Sequence, residues 1–146
     1  MKKILFALSV ALILTACAPP AGPTTSGALL VTSGESQQSF TPNDLAGLPA
    51  TEASFNEVAY KGVTVSALLE AIGVDAGGVR AIKAVASDGY SVNYDPAQVL
   101  KENVIVAYTL ADGGAMSTDD GDFRMVLPEE EGKLNVRMLV ELQVIQ

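Results

Sequence analysis

Two residue types that carry much of protein chemistry are almost missing from this chain of 146 residues: it has no histidine, and its one cysteine is Cys17. Without histidine the commonest general base at neutral pH and the commonest metal ligand are gone. A Ser-His-Asp triad, a Cys-His pair and an ordinary structural zinc site are therefore excluded. Carboxylates are what remain. The loop DGGAMSTDDGD, residues 112–122, gathers Asp112, Asp119, Asp120 and Asp122, hard oxygen donors of the kind Ca²⁺ prefers, and Gly121 permits a sharp turn. It lacks the EF-hand spacing and the closing bidentate glutamate, so the plain reading is a solvated acidic loop; a Ca²⁺-binding adhesion or structural module is the alternative. Glu129, Glu130 and Glu131 form a second acidic run on a turn, read as facing solvent. Neither Gly77-Gly78 nor Gly113-Gly114 is followed by Lys-Ser/Thr, so neither is a phosphate loop. The four tyrosines, Tyr60, Tyr90, Tyr94 and Tyr108, read as core residues with satisfied hydroxyls.

Lys2 and Lys3 precede an apolar run, residues 4–14, of signal-peptide length. A membrane-spanning helix needs about 20 apolar residues, so this run is too short. It ends in Leu14-Thr15-Ala16-Cys17, which resembles a bacterial lipobox. The resemblance implies cleavage before Cys17, a diacylglycerol on its thiol and an acylated amine, and several acyl chains anchor stably where one does not. Ala18 follows the cysteine instead of Asp, which by the same resemblance favours the outer membrane, at its periplasmic or outer face, in a Gram-negative cell. The expected place is the extracytoplasmic cell envelope. With Cys17 lipidated, no thiol is left for a disulfide, a metal or a nucleophile. Losing Lys2 and Lys3 takes the formal net charge from −8 to −10, which suits neither nucleic-acid phosphates nor anionic headgroups as partners.

The elements that must position these residues follow from pattern. Residues 18–27, APPAGPTTSG, read as a proline-rich tether able to reach roughly 30 Å when extended. The layout is thus a signal peptide over 1–16, a lipidated cysteine and tether over 17–27, and one domain over 28–146. Two strands open it, ALLVTSG and residues 37–40, and Thr41-Pro42-Asn43-Asp44 starts a short helix. Residues 51–60 alternate but change parity at Asn56-Glu57, which predicts a bend or bulge. Val65, Leu68, Leu69 and Ile72 carry the spacing of one buried helix face, with Thr64 or Ser66 as cap and Gly73 beyond the end. RAIKAVA and YSVNY flank Ser-Asp-Gly as a hairpin on which the rest of one sheet is expected to build. Asp95-Pro96 opens another helical turn, VIVAYTL is the most apolar strand and belongs near a sheet centre, and residues 123–127 form a strand. Val136, Met138, Val140, Leu142 and Val144 alternate to the end as a half-buried strand. The fold class is α+β, a mixed, strand-dominated sheet with short helices.

SFTPNDLAGLP, YKGVTVSALLEAIGV, ASDGYSVNY, VIVAYTL, GDFRMVLP and GKLNVRMLVELQV, in this order, resemble the molybdopterin-binding oxidoreductase domain of the sulfite oxidase superfamily. The resemblance covers nearly all of residues 37–144. It implies that the Asp88-Gly89-Tyr90 hairpin lies on the cofactor side and that Arg124 matches the family's arginine, so Asp88, Tyr90 and Arg124 are the expected cleft. Active members hold molybdenum by a cysteine in a Cys-x-Gly-Asn-Arg-like loop before the aromatic-x-Gly-Val turn. Here ASFNEVAY runs straight into KGV, and Arg137-Met138 stands where the family tends to have Lys-Trp. The expectation is the scaffold without its catalytic equipment: no catalytic residue, no cofactor beyond what resemblance to molybdopterin proteins implies, and a lipid-anchored binding or assembly module facing a small ligand or an envelope protein. A divergent molybdopterin oxidoreductase, or an accessory subunit of a redox system, is the enzymatic alternative.

Overall fold

The computed structural model describes residues 27–146, so the signal peptide, Cys17 and the tether up to residue 26 lie outside the described residues. Strand β1 (Leu29–Ser33) buries every second side chain and pairs antiparallel with β2 (Ser36–Phe40). Helix α1 (Pro42–Ala46) follows, closed by a full capping box: the Thr41 hydroxyl accepts from the Asp44 N–H, and the Asp44 carboxylate accepts from the Thr41 N–H. The Thr41 N–H, and then its hydroxyl, donate to the Asp44 carboxylate and hold that carboxyl below its ordinary range.

Strands β3 (Thr51–Phe55) and β4 (Val58–Thr64) correct the expectation of a single bent strand. Asn56 and Glu57 have φ of 49° and 65°, and Phe55 pairs with Val58, so the parity change is a two-residue hairpin turn. Two successive left-handed residues reverse the chain with the twist that antiparallel strands need. β4 runs directly into helix α2 (Val65–Ala71), whose N-cap is Thr64. Val65, Leu68 and Leu69 are buried as their spacing requires, and Gly73, at φ 73°, ends the helix.

The hairpin β5 (Ala81–Ala86) and β6 (Ser91–Tyr94) forms as its turn chemistry predicts. Helix α3 (Pro96–Val99) starts after Asp95, although the Asp95 side chain makes no cap bond. β7 (Ile105–Leu110) and β8 (Arg124–Val126) then pair, and β9 (Leu139–Ile145) closes the chain.

The fold class is the expected α+β, strand-dominated with short helices, and the strands divide between two sheets. One is mixed, in the order β2-β1-β9-β5-β6, with β1 and β9 parallel; the other is antiparallel, β3-β4-β7-β8. The α2 helix grows out of the second sheet while the β5–β6 hairpin belongs to the first, so residues 60–94 bridge the two. Their inner faces share one core with α2, including Leu29, Val63, Leu68, Ile82, Val106, Met125 and Leu142. A buried leucine here is worth about 2–5 kcal/mol against alanine. The outer face of the four-stranded sheet carries a smaller cluster of Ala53, Tyr60, Ile105, Ala107 and Val126. β7 is therefore covered on both sides, which accounts for its continuous apolar run. Gly62 lets it lie close to β4, because a Cβ there would overlap the Val106 carbonyl.

The last strand also departs from simple alternation. Ala86 pairs with Leu139 but Val85 pairs with Glu141, leaving Val140 as an extra, 39% exposed residue. This bulge puts Leu139 and Leu142 inward together and turns Val140 out, whereas the sequence pattern places Val140 with Leu142.

Candidate functional site

The turn between β5 and β6 is built by its own residues. Asp88 Oδ1 accepts from the Tyr90 N–H at 2.9 Å, and Gly89 takes φ 87°. Tyr90 is held outward, 46% exposed, and does not cover the core. Its hydroxyl reaches across to donate to the Lys133 carbonyl at 2.7 Å. That bond ties the turn to a single 3-10 turn at Gly132–Leu134. Between them lies a cleft of about 460 Å³, lined by Asp88, Tyr90, Asp119, Lys133, Arg137 and Met138 among others.

Met138 is the residue that assembles this cleft. Its φ of 48° is left-handed and uncommon for a side chain of this kind. In that conformation its N–H donates to the Asp120 carbonyl at 2.7 Å, and its carbonyl accepts from the Ser87 N–H at 2.9 Å. One residue thus joins the acidic loop to the β5–β6 turn. Gly121 must be glycine for the same reason: it has φ 74°, and a Cβ would come within 2.9 Å of Met138 Cα.

Arg124 is not in the cleft. It lies on β8, facing the outer cluster, 4% exposed. Its Nη1 donates to Asp120 Oδ1 at 2.5 Å and to the Tyr60 hydroxyl at 2.8 Å, and that hydroxyl donates to Asp120 Oδ2 at 3.3 Å. The guanidinium also stacks over the Tyr60 ring, 4.6 Å from its centroid, with Phe55 at 5.8 Å. The guanidinium is buried and bonded within the fold, so the expected trio divides: Asp88 and Tyr90 share a cleft, and Arg124 is a buried strut. The arginine of the cleft is Arg137. Burial raises the Tyr60 hydroxyl above the usual phenol range, and it does the same more strongly for Tyr94, whose hydroxyl donates to the Leu134 carbonyl.

The four carboxylates of residues 112–122, offered as an alternative Ca²⁺ site, go to separate places in the fold. Asp120 turns inward to Arg124, Asp112 caps its own turn by accepting from the Gly114 N–H at 2.8 Å, Asp119 lines the cleft, and Asp122 lines a separate groove beside Gly27 and Phe123. Among the described residues no three carboxylates converge on one point. Four acids close in sequence are scattered because the loop spends one on a buried ion pair and one on a turn.

Sequence reasoning passed over Lys133 and Asn135, and noted Arg137 only as a departure from the family's Lys-Trp. Asn135 is buried and its amide carbonyl accepts from the Leu127 N–H at 2.7 Å, while its amide nitrogen donates to the carbonyls of Leu127 and Glu131 at 3.2 and 3.1 Å. It fastens the loop that carries Lys133 to β8. An asparagine after a glycine-lysine turn gives no such signal, because its partners are backbone groups eight and four residues back. Lys133 pairs with Glu131 at 2.7 Å on the surface.

Residues 22–146 match the family model described as the oxidoreductase molybdopterin binding domain. Residues 1–18 match the prokaryotic membrane lipoprotein lipid attachment site, which supports a lipid-anchored protein of the cell envelope. Among solved structures, the sulfane dehydrogenase SoxCD from Paracoccus pantotrophus is similar, with a TM-score of 0.66 at 21% identity. That match covers 80% of this chain and 37% of the SoxCD chain, so the likeness is one of fold and the present chain spans little more than a third of that length. No curated protein matches the chain at a significant level.

Proposed function

Since the chain belongs to the oxidoreductase molybdopterin binding domain family, we propose that it is a lipid-anchored binding or assembly module that keeps the family scaffold without a cysteine-held molybdenum centre. One observation carries this reading: the two-residue turn Asn56-Glu57 joins β3 to β4, and β4 passes straight into α2. The stretch where the family resemblance places the molybdenum-ligating loop is an uninterrupted hairpin and helix start.

The donor set points the same way. The only cysteine is Cys17, at the lipid attachment site, and there is no histidine. The cleft offers carboxylates, a phenol, an ammonium and a guanidinium, and none of these replaces a thiolate on molybdenum. The residues present do not fit a thiolate-ligated molybdenum centre. They do fit reversible recognition of a polar ligand, by a cleft held open by Met138 and by the Tyr90–Lys133 bond. The lipid anchor would hold that cleft near a membrane, and the tether would set its reach.

Similarity to a dehydrogenase favours a second reading, in which the chain is a divergent redox enzyme or the accessory subunit of one. Elemental analysis and oxidised-pterin fluorescence of the full-length lipoprotein, purified in detergent, separate the two. The binding module contains neither molybdenum nor pterin in stoichiometric amount. Close to one molybdenum and one pterin per chain would overturn the proposal and establish the redox reading.

A further inference from the structure

The charges lining the cleft oppose each other without meeting. Asp88 projects from the β5–β6 turn and Asp119 from the acidic loop, while Lys133 and Arg137 come from the segment before β9. Among the described residues, neither carboxylate lies within 4.0 Å of a cationic nitrogen, and Arg137 has no ion-pair partner at all. Of the two cleft cations Lys133 is already paired with Glu131, as Arg124 is with Asp120 and Lys101 with Glu129 outside the cleft, which leaves Arg137 as the cleft cation without an ion partner among the described residues.

Hydrogen bonds fix the segments that carry these charges relative to one another. Asp88 is tied to the Tyr90 N–H, the Tyr90 hydroxyl to the Lys133 carbonyl, and Met138 to both Ser87 and Asp120. A volume of about 460 Å³ lies within the usual range of small-ligand pockets, about 300–1,000 Å³. We propose that this cleft binds a small zwitterion, a molecule with a free ammonium group and a free acid group. The proposal rests on reading the domain as a binding module.

The ligand's acid group is taken by the Arg137 guanidinium, with Lys133 beside it, and its ammonium by Asp88 and Asp119. The exposed face of Tyr90 offers a further surface for the cationic end. A zwitterion gains a charge-assisted hydrogen bond at each end. A ligand with a single charge satisfies one of the two charge types and presents nothing to the other.

The test is calorimetric titration of the full-length lipoprotein in detergent with L-alanine, 4-aminobutyrate and glycyl-leucine, three zwitterions of increasing charge separation. The N-acetylated and amidated forms of each supply the single-charge controls. At least one zwitterion binds, and either modification weakens it about tenfold or more, the scale of one charged hydrogen bond. Arg137→Gln lowers affinity for the zwitterion and for the control that keeps its acid group, and leaves the control that keeps only its ammonium unchanged. Asp88→Asn with Asp119→Asn does the reverse; asparagine at 88 retains the acceptor for the Tyr90 N–H, so the turn survives. Binding of none of the three, or equal binding of a single-charge form, overturns the proposal. Molybdenum and pterin content measured on the same preparation shows separately whether the binding-module reading has failed.

Discussion

Arg124 illustrates how a residue singled out for chemistry serves structure. Its guanidinium lies against two aromatic rings and donates to a carboxylate and a phenol. Removing one partner of a buried ion pair strands the other charge, which costs about 3–5 kcal/mol. Asp120→Asn is therefore expected to lower the unfolding free energy in urea by about that amount. The double variant Asp120→Asn, Arg124→Met loses clearly less than the two single changes summed, because no charge is left unpaired. Tyrosine burial adds a pH dependence with a definite sign. The folded-state values of Tyr60 and Tyr94 are raised, so their contribution is fully present below the ordinary phenol value of about 10 and is lost as pH climbs through the folded values. The urea midpoint should fall above about pH 10, and Tyr60→Phe should flatten that fall.

At the scale of elements, the decisive feature is the β3–β4 turn. Both central residues are left-handed, and neither is glycine. A non-glycine residue in that conformation costs about 1–2 kcal/mol, and Asn-Gly is the pair such turns favour. Glu57→Gly should therefore stabilise the protein by about 1 kcal/mol, seen as a melting temperature higher by about 2–6 °C. The chain gives little notice of this hairpin because Asn-Glu is a poor turn signal; it shows only as a change of parity, which a bulge produces equally well. The β5–β6 turn is the opposite case. Ser-Asp-Gly-Tyr carries both an Asx acceptor and a left-handed glycine, so its place and its pairing were readable in advance.

For the whole molecule, the loop of residues 112–122 works as a spacer between the two sheets. Asp120 is fixed to the four-stranded sheet through Arg124, and its carbonyl is fixed to the lead-in of β9 through Met138. Stability should therefore be indifferent to divalent cations, and EDTA should leave the melting temperature unchanged in differential scanning calorimetry. A large EDTA-sensitive shift would show a Ca²⁺ bound to the folded state by mass action. The same connections explain why Asp88 and Asp119, 31 positions apart in the chain, end on one cleft.

Local pattern determined the secondary structure of this protein well. The capped start of α1, the buried stripe of α2, the β5–β6 hairpin and the doubly covered β7 all depend on residues within a few positions of each other. Order along the chain carried the family resemblance, and the missing histidines and single cysteine limited the chemistry. Tertiary structure decided the rest: that strands divide between two sheets, that Val140 faces out, and that Arg137 lines the cleft while Arg124 is buried. These depend on a left-handed Met138, a bulge in β9 and an ion pair across the outer cluster. Such features are set by which distant groups compete for the same partner, and a linear pattern records a residue's neighbours in sequence but not its competitors in space.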